Sequence, residues 1–409
     1  MVHEPRPLVL DPTGSDINAE ADRVRSQGPA TPVGLPGGLV AWAISRQSLL
    51  KQLLTDPRVS KNPRLHWRAW HEGEVSSDWP LINWVAVQNM FTAYGADHRR
   101  LRTLVSKAFT ARRTAALRPR IEAIAADLLD RLAATPPGEP ADLREGYAYP
   151  LPLQVIYELF GLTDEGLRAR MSRFADSSFR TTTTPEEVAA ASAEMDAIMS
   201  ALVASKREQP GDDLTSGLIA VRSEEDAALS ERELCDTLAL MLTAGHETTV
   251  NLLDNAVHAL LTHPEQLAHV RAGRASWDDV IEETLRHAAP VANLPLRYAV
   301  EDIELADGVV LRKGDAILAA YAAAGRDPGV HGEDAAAFDV TRRLKSHLAF
   351  GHGVHLCVGA PLARLEASIA LPALFDRFPR LSLASGQGPL EPVESFISNG
   401  HRALPVRLS

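Results

Sequence analysis

The segment "SERELCDTLALMLTAGHETTVNLLDNAVHALLTHP" contains no internal helix stop over about 32 residues. Ser230 and Glu233 form a capping-box pattern at its start, and His263-Pro264 ends it. A helix of that length spans roughly 48 Å, longer than a small domain is wide. Apolar residues surround its middle, so it must run through a core and cannot lie on a surface. The rest of the chain must therefore wrap it, and helical patterns supply most of that wrapping. They dominate from Asp97 to about Ala134 and recur from Leu151 to Lys206. A capped helix "SWDDVIEETLRH" stops before Pro290, and "PLARLEASIALPALFDRF" has Pro361 near the position where proline opens helices. Short strands are expected at 34–60, 294–320 and 380–409, while 60–96 reads as irregular and holds Trp67, Trp70, Trp79 and Trp84. The expected class is mainly α with a minor β part.

Composition narrows the partners. The formal charge of −11 argues against nucleic acid or an anionic membrane. Two cysteines, Cys235 and Cys357, make no disulfide framework. The N-terminal "MVHEPRPLVLDPTGSD" shows no secretory pattern, and no span of about 18 apolar residues is seen, so a cytoplasmic protein is expected.

Cys357 stands just before a helix N-terminus, among Gly351, Gly353 and Gly359. Unpaired N–H groups there favour a thiolate. One reading is a buried, inert cysteine, which is preferred for Cys235. Zinc would need more ligands than His347, His352 and His355 supply without a second cysteine. A dinucleotide loop fails at Leu356, where the third glycine belongs. A nucleophile with His355 as base, or a haem thiolate, remains open.

In "AGHETT", Gly245 weakens the middle of the long helix by about 1 kcal/mol. Glu247 and Thr248 would place an acid–alcohol pair at a local opening; equally, Gly245 would admit a neighbouring helix. Glu283 and Arg286 share a helix face in "EETLR". Residues 98–120 carry seven arginines, one lysine and no acid. Within them His98 and Arg102 lie four apart and could grip one carboxylate.

Taken together, these stretches resemble the bacterial cytochrome P-450 family of haem-thiolate monooxygenases. "FGHGVHLCVG" matches Phe-x-x-Gly-x-x-x-Cys-x-Gly at Phe350, Gly353, Cys357 and Gly359. "AGHET" matches the oxygen-binding helix, with Glu247 where many members have Asp, and "EETLR" matches Glu-x-x-Arg. The likeness runs from roughly residue 10 to the C-terminus. "NMFTAYGADHRRLR" and "FISNGHRALPV" look like an actinomycete branch of steroid hydroxylases and natural-product tailoring enzymes.

The resemblance implies one triangular domain over 1–409, with a helix-rich core at about 97–290 and 350–380, and haem b as cofactor. Cys357 would be the axial iron ligand. His98, Arg102, Arg297 and His355 would bind haem propionates, and Ala244, Gly245, Phe350, Gly351 and Gly359 would line the haem. Thr248 and Glu247 would deliver protons to bound O2. Glu283, Arg286 and Arg342 would form a structural ion-pair cluster, and Gly325 replaces the usual Asn at one turn. Electrons would come from a ferredoxin and its NAD(P)H-dependent reductase, docked through the arginine run, and a monomer is expected. The substrate pocket would include Trp84, Met90, Phe91, Phe174, Phe179, Leu240, Ala244, Ala292, Leu294, Phe396 and Ile397. This apolar, aromatic set suits a steroid, macrolide or polyketide for hydroxylation, or an aromatic cyclic peptide for ring coupling. A haem sensor, a cysteine hydrolase and a nucleic-acid binder are the rival classes.

Overall fold

The computed structural model describes residues 7–175, 180–222, 228–306, 308–384 and 389–409. The long helix runs unbroken as Glu231–Thr262. Its capping box forms as the sequence predicts: the Ser230 hydroxyl accepts from the Glu233 N–H at 3.2 Å, and the Glu233 carboxylate accepts from the Ser230 N–H at 2.8 Å. The local opening expected at Gly245 is not seen. The Thr248 hydroxyl donates to the Ala244 carbonyl at 2.7 Å and Thr249 to that of Gly245 at 3.1 Å, with the turn kept helical. A Cβ at Gly245 would meet Ile156 at an ordinary 3.5 Å, so close helix approach does not require this glycine.

Helices Pro150–Phe160, Trp277–His287 and Ala360–Arg377 pack directly on the central helix. Arg118–Ala133 packs on two of these, the first and the last. The apolar stripes of all five merge into one core containing Leu238, Leu242, Val250 and Leu253. Burial of these side chains, at about 1.5–3 kcal/mol each, holds the bundle together.

The β part lies at 30–60, 293–320 and 382–407, with Leu8–Val9 added at the start and Ala141–Asp142, inside the stretch expected to be helical, pairing with Pro405–Arg407. Its main sheet has six strands in the order Leu8–Val9, Ala30–Gly34, Val40–Ile44, Ala316–Ala320, Asn293–Ala299, Val59–Ser60. Strands near the N-terminus thus flank strands some 250 residues later. The last pair is antiparallel, with Val59 opposite Ala299 and Ser60 opposite Tyr298. Just after Val59–Ser60 the chain forms short helices at Pro63–His66, Arg68–His71 and Ile82–Val85, in the stretch read as irregular. Trp67 is buried there, stacked on Tyr298 at 5.2 Å.

No membrane span is expected from the sequence, yet one described helix, within Glu186–Glu208, reaches the length and mean hydropathy (1.3) that a span needs. Glu194 and Asp196 in its middle pair with Arg170 and Arg232, and it packs on the central helix.

Candidate active site

The chain reaches Cys357 through a tight loop. The Cys357 N–H donates to the Phe350 carbonyl at 2.9 Å, closing the turn on itself. Gly353 has φ +70°, and a Cβ there would sit 2.6 Å from the Leu54 carbonyl oxygen. Only glycine lets the loop press on the end of helix Gln47–Thr55. The sulfur then stands at the start of helix Ala360–Arg377, hydrogen-bonded by the N–H groups of Gly359 and Ala360. The helix terminus was expected to lower the thiol pKa. Burial outweighs it and pushes the pKa up; the two N–H groups, Arg102 and Arg364 pull the other way. Cys357 is exposed, and it lines a cavity within the protein. Cys235 is buried in the central helix, in keeping with an inert role.

That cavity holds about 810 Å³. The cysteine loop forms one part of its wall, and Leu240, Ala244, Gly245 and Thr248 of the central helix form another. A third part is cationic: Lys61, His98, Arg102, Arg297 and His355 all face in. The His98 and His355 rings lie 4.1 Å apart. Burial lowers the pKa of both, and Lys61, His98, Arg297 and Arg102 together push His355 further down. Arg297 Nη1 and Lys61 Nζ are buried without a hydrogen-bond partner. Unpaired buried cations are costly, so this wall is built for anions brought by a ligand.

Glu247 does not line the cavity. Its carboxylate takes hydrogen bonds from Arg144 at 2.9 Å and Ser398 at 3.4 Å; Arg144 also donates to Asn251 at 2.8 Å. Burial raises the Glu247 pKa and these partners oppose it, so it holds a proton more readily than an exposed glutamate. Asn251 in turn donates to Ser398 at 2.6 Å, and Asp254 receives His401 Nδ1 at 2.9 Å.

Glu283 and Arg286 are fully buried and bidentate at 2.7–2.8 Å. Arg286 also donates to the carbonyls of Gly325, Ala335 and Ala337, and Arg342 lies 3.6 Å from Glu283. Gly325 answers the departure noted above. A Cβ there would stand 2.2 Å from the Arg286 carbonyl oxygen, so this turn as built needs glycine.

Comparison with known proteins decides the family. The family model described as Cytochrome P450 matches residues 277–402. Over 402 residues the chain is 45% identical to 2-hydroxy-5-methyl-1-naphthoate 7-hydroxylase of Streptomyces carzinostaticus, covering 98% of this chain and 97% of that one. It is 40% identical to Cytochrome P450 monooxygenase PikC of Streptomyces venezuelae, covering 98% and 94%. The solved structure of CYP154A1 from Streptomyces coelicolor A3(2) superimposes with a TM-score of 0.93 at 55% identity, covering 98% and 100%.

The chain is a cytochrome P450 monooxygenase.

The P450 cofactor is haem, and the residues present fit it. The cavity offers a cysteine sulfur at a helix N-terminus and a cationic wall with orphaned donors for two carboxylates. Cys357 would ligate the iron, and His98, Arg102, Arg297 and His355 would hold the propionates. Ala244, Gly245, Phe350, Gly351 and Gly359 line the same cavity. When bound, the haem supplies O2 activation, with the thiolate favouring O–O cleavage.

Of the expected substrate residues, Trp84, Met90, Phe91, Leu240, Ala244 and Leu294 line the cavity. Ala292, Phe396 and Ile397 do not: they are buried core, the last two in the cluster under the main sheet. Phe179 lies outside the described residues, as does the side chain of Phe174. Sequence reasoning missed Lys61, Arg144 and Glu366. Glu366 lines the cavity, is buried without a partner at Oε2, and has a pKa raised by burial. Only the spacing from Cys357 into an apolar helix face could have drawn notice to it.

Proposed function

We propose that this P450 hydroxylates a hydrophobic, multi-ring secondary metabolite. The observation that carries this is the cavity itself. Its wall joins the Cys357 sulfur to Leu240, Ala244, Leu294, Met90 and the Trp84–Phe91 pair, whose rings meet edge-on at 6.3 Å. Such a wall buries flat or branched apolar ligands. The naphthoate hydroxylase named above acts on a two-ring aromatic acid, which gives a starting ligand class.

Thr248 presents its hydroxyl to the cavity while donating to Ala244. In this reading the hydroxyl would hold a proton at the cavity, and Glu247, whose carboxyl pKa burial raises, would hold a second one behind it.

Haem b is the proposed form of the cofactor. A ferredoxin and its NAD(P)H-dependent reductase are the proposed electron source. In the basic run, Arg100, Arg113, Arg118 and Arg120 form ion pairs within the chain. Arg99 and Arg112 are exposed and have no ion-pair partner among the described residues, so they would meet an acidic partner. The proposal also takes the chain as one catalytic unit, monomeric and cytoplasmic.

The test is a screen of ring compounds against the oxidised protein for a blue shift of the haem band, which marks displacement of iron-bound water. Turnover of each binder is followed by mass spectrometry. A product heavier by one oxygen supports hydroxylation; loss of two hydrogens without oxygen gain would replace it with ring coupling.

A further inference from the structure

Among the described residues, no anion answers the Lys61 ammonium. Lys61 follows strand Val59–Ser60, which pairs antiparallel with Asn293–Ala299, with Val59 opposite Ala299 and Ser60 opposite Tyr298. Continuing that register by one residue sets Lys61 opposite Arg297. Residues opposite each other in an antiparallel pair project to the same face, and like charges there repel. Both side chains point into the cavity, and Lys61 is only 3% exposed. Neither Lys61 Nζ nor Arg297 Nη1 has a hydrogen-bond partner.

Among the described residues, the Lys61 ammonium is met favourably by the Phe91 ring, 3.4 Å from its centroid. A cation–π contact is worth about 0.5–2 kcal/mol, while burying an unpaired ammonium costs several. The charged group that acts on Lys61 is Arg297, a cation, and burial with that repulsion drives its pKa well down. The missing anion must therefore arrive with a bound molecule.

We propose that Lys61 is a fifth anchor for the haem, its ammonium shared with Arg297 on one propionate carboxylate. This rests on the haem-thiolate reading of the site. His98, Arg102 and His355 line the same cavity as Lys61 and Arg297. Lys61 thus belongs to the group that the propionates would join. Through Phe91 it also ties that carboxylate to the substrate side of the cavity.

The experiment compares wild-type holoenzyme with Lys61→Met, which keeps length and removes charge, and Lys61→Arg, which keeps charge. Two quantities are read without substrate: the rate of haem transfer to excess apomyoglobin and the ferric/ferrous potential. Loss of a charge-assisted hydrogen bond predicts about tenfold faster haem transfer in Lys61→Met. Its potential falls, because a cation beside the haem favours the reduced state. Lys61→Arg stays near wild type in both. Unchanged transfer and potential in Lys61→Met overturn the proposal. So does weakened binding of a naphthoate relative to its methyl ester with haem retention intact, which would give Lys61 to a substrate carboxylate. A wild-type protein lacking the thiolate-type carbon monoxide spectrum would sink the haem-thiolate reading itself.

Discussion

Thr248 and Glu247 are adjacent in the central helix but face different surroundings. The Thr248 hydroxyl opens on the cavity and bonds the Ala244 carbonyl at 2.7 Å, whereas the Glu247 carboxylate is held by Arg144 at 2.9 Å, away from the cavity. The helix thus turns one of the two side chains to the cavity and the other into a buried ion pair.

Thr248→Ala removes the only hydroxyl that this pair presents to the cavity. Oxygen and NAD(P)H consumption should continue while hydroxylated product falls by at least about tenfold, with hydrogen peroxide appearing instead. Thr248→Ser should recover most of the coupling. Peroxide release equal to wild type would remove Thr248 from proton delivery.

Arg144→Met leaves the buried Glu247 carboxylate without its cation. The expected loss is about 3–5 kcal/mol in urea unfolding. Glu247→Gln in the same chain should return part of it, because the charge left unpaired is gone. Additive losses in this double-mutant cycle would show that the pair is not coupled.

Acid should destabilise the protein well above the pH at which exposed carboxylates titrate. Burial holds the His246 and His258 pKa values down at about 4, and burial with Arg326 and Arg286 holds His287 at about 2. In the unfolded chain all three titrate near 6.5. Between about pH 6.5 and 4 the unfolded state therefore binds more protons, so stability is full above 6.5 and falls as the pH drops. Each histidine contributes a slope of about 1.4 kcal/mol per pH unit. Melting midpoints from pH 7.5 to 4.5 test this, and His258→Gln should make the fall shallower. A flat profile down to pH 5 would refute it.

Leu240→Phe adds bulk to the cavity wall. Large ring ligands should lose at least about fivefold in spectral affinity, from overpacking of roughly 1–3 kcal/mol. Imidazole, which needs only the space at the iron, should bind as before. Equal losses for both would place Leu240 away from the substrate.

The central helix was legible because its signals are local: a capping box, a periodic apolar pattern and a proline stop lie within one stretch. The Cys357 loop was legible because its glycines and cysteine are consecutive. Lys61 and Arg144 were not, because their meaning lies in partners far along the chain. Lys61 matters only once Ser60 pairs with Tyr298, and Arg144 only once it meets Glu247. Phe396 and Ile397 failed for another reason. An apolar residue near a pocket and one beneath a sheet look alike in sequence, and here the sheet took both. The burial that pushes the Cys357 thiol pKa up was not legible either, because helix position is visible in sequence and burial is not.

The pairing of Val59–Ser60 with Asn293–Ala299 also sets an order of events during synthesis. A ribosome adding about 5–20 residues per second needs roughly 12–48 s to travel from the first strand to the second. Until then Lys61 has no Arg297 beside it, and Cys357 has not been made. Haem ligation through Cys357 must therefore wait until this loop has been made, and until haem arrives the cation-lined wall is an unfilled shell. Slow supply of haem would then be felt as a longer life of that shell, and so as aggregation, before it was felt as lost turnover.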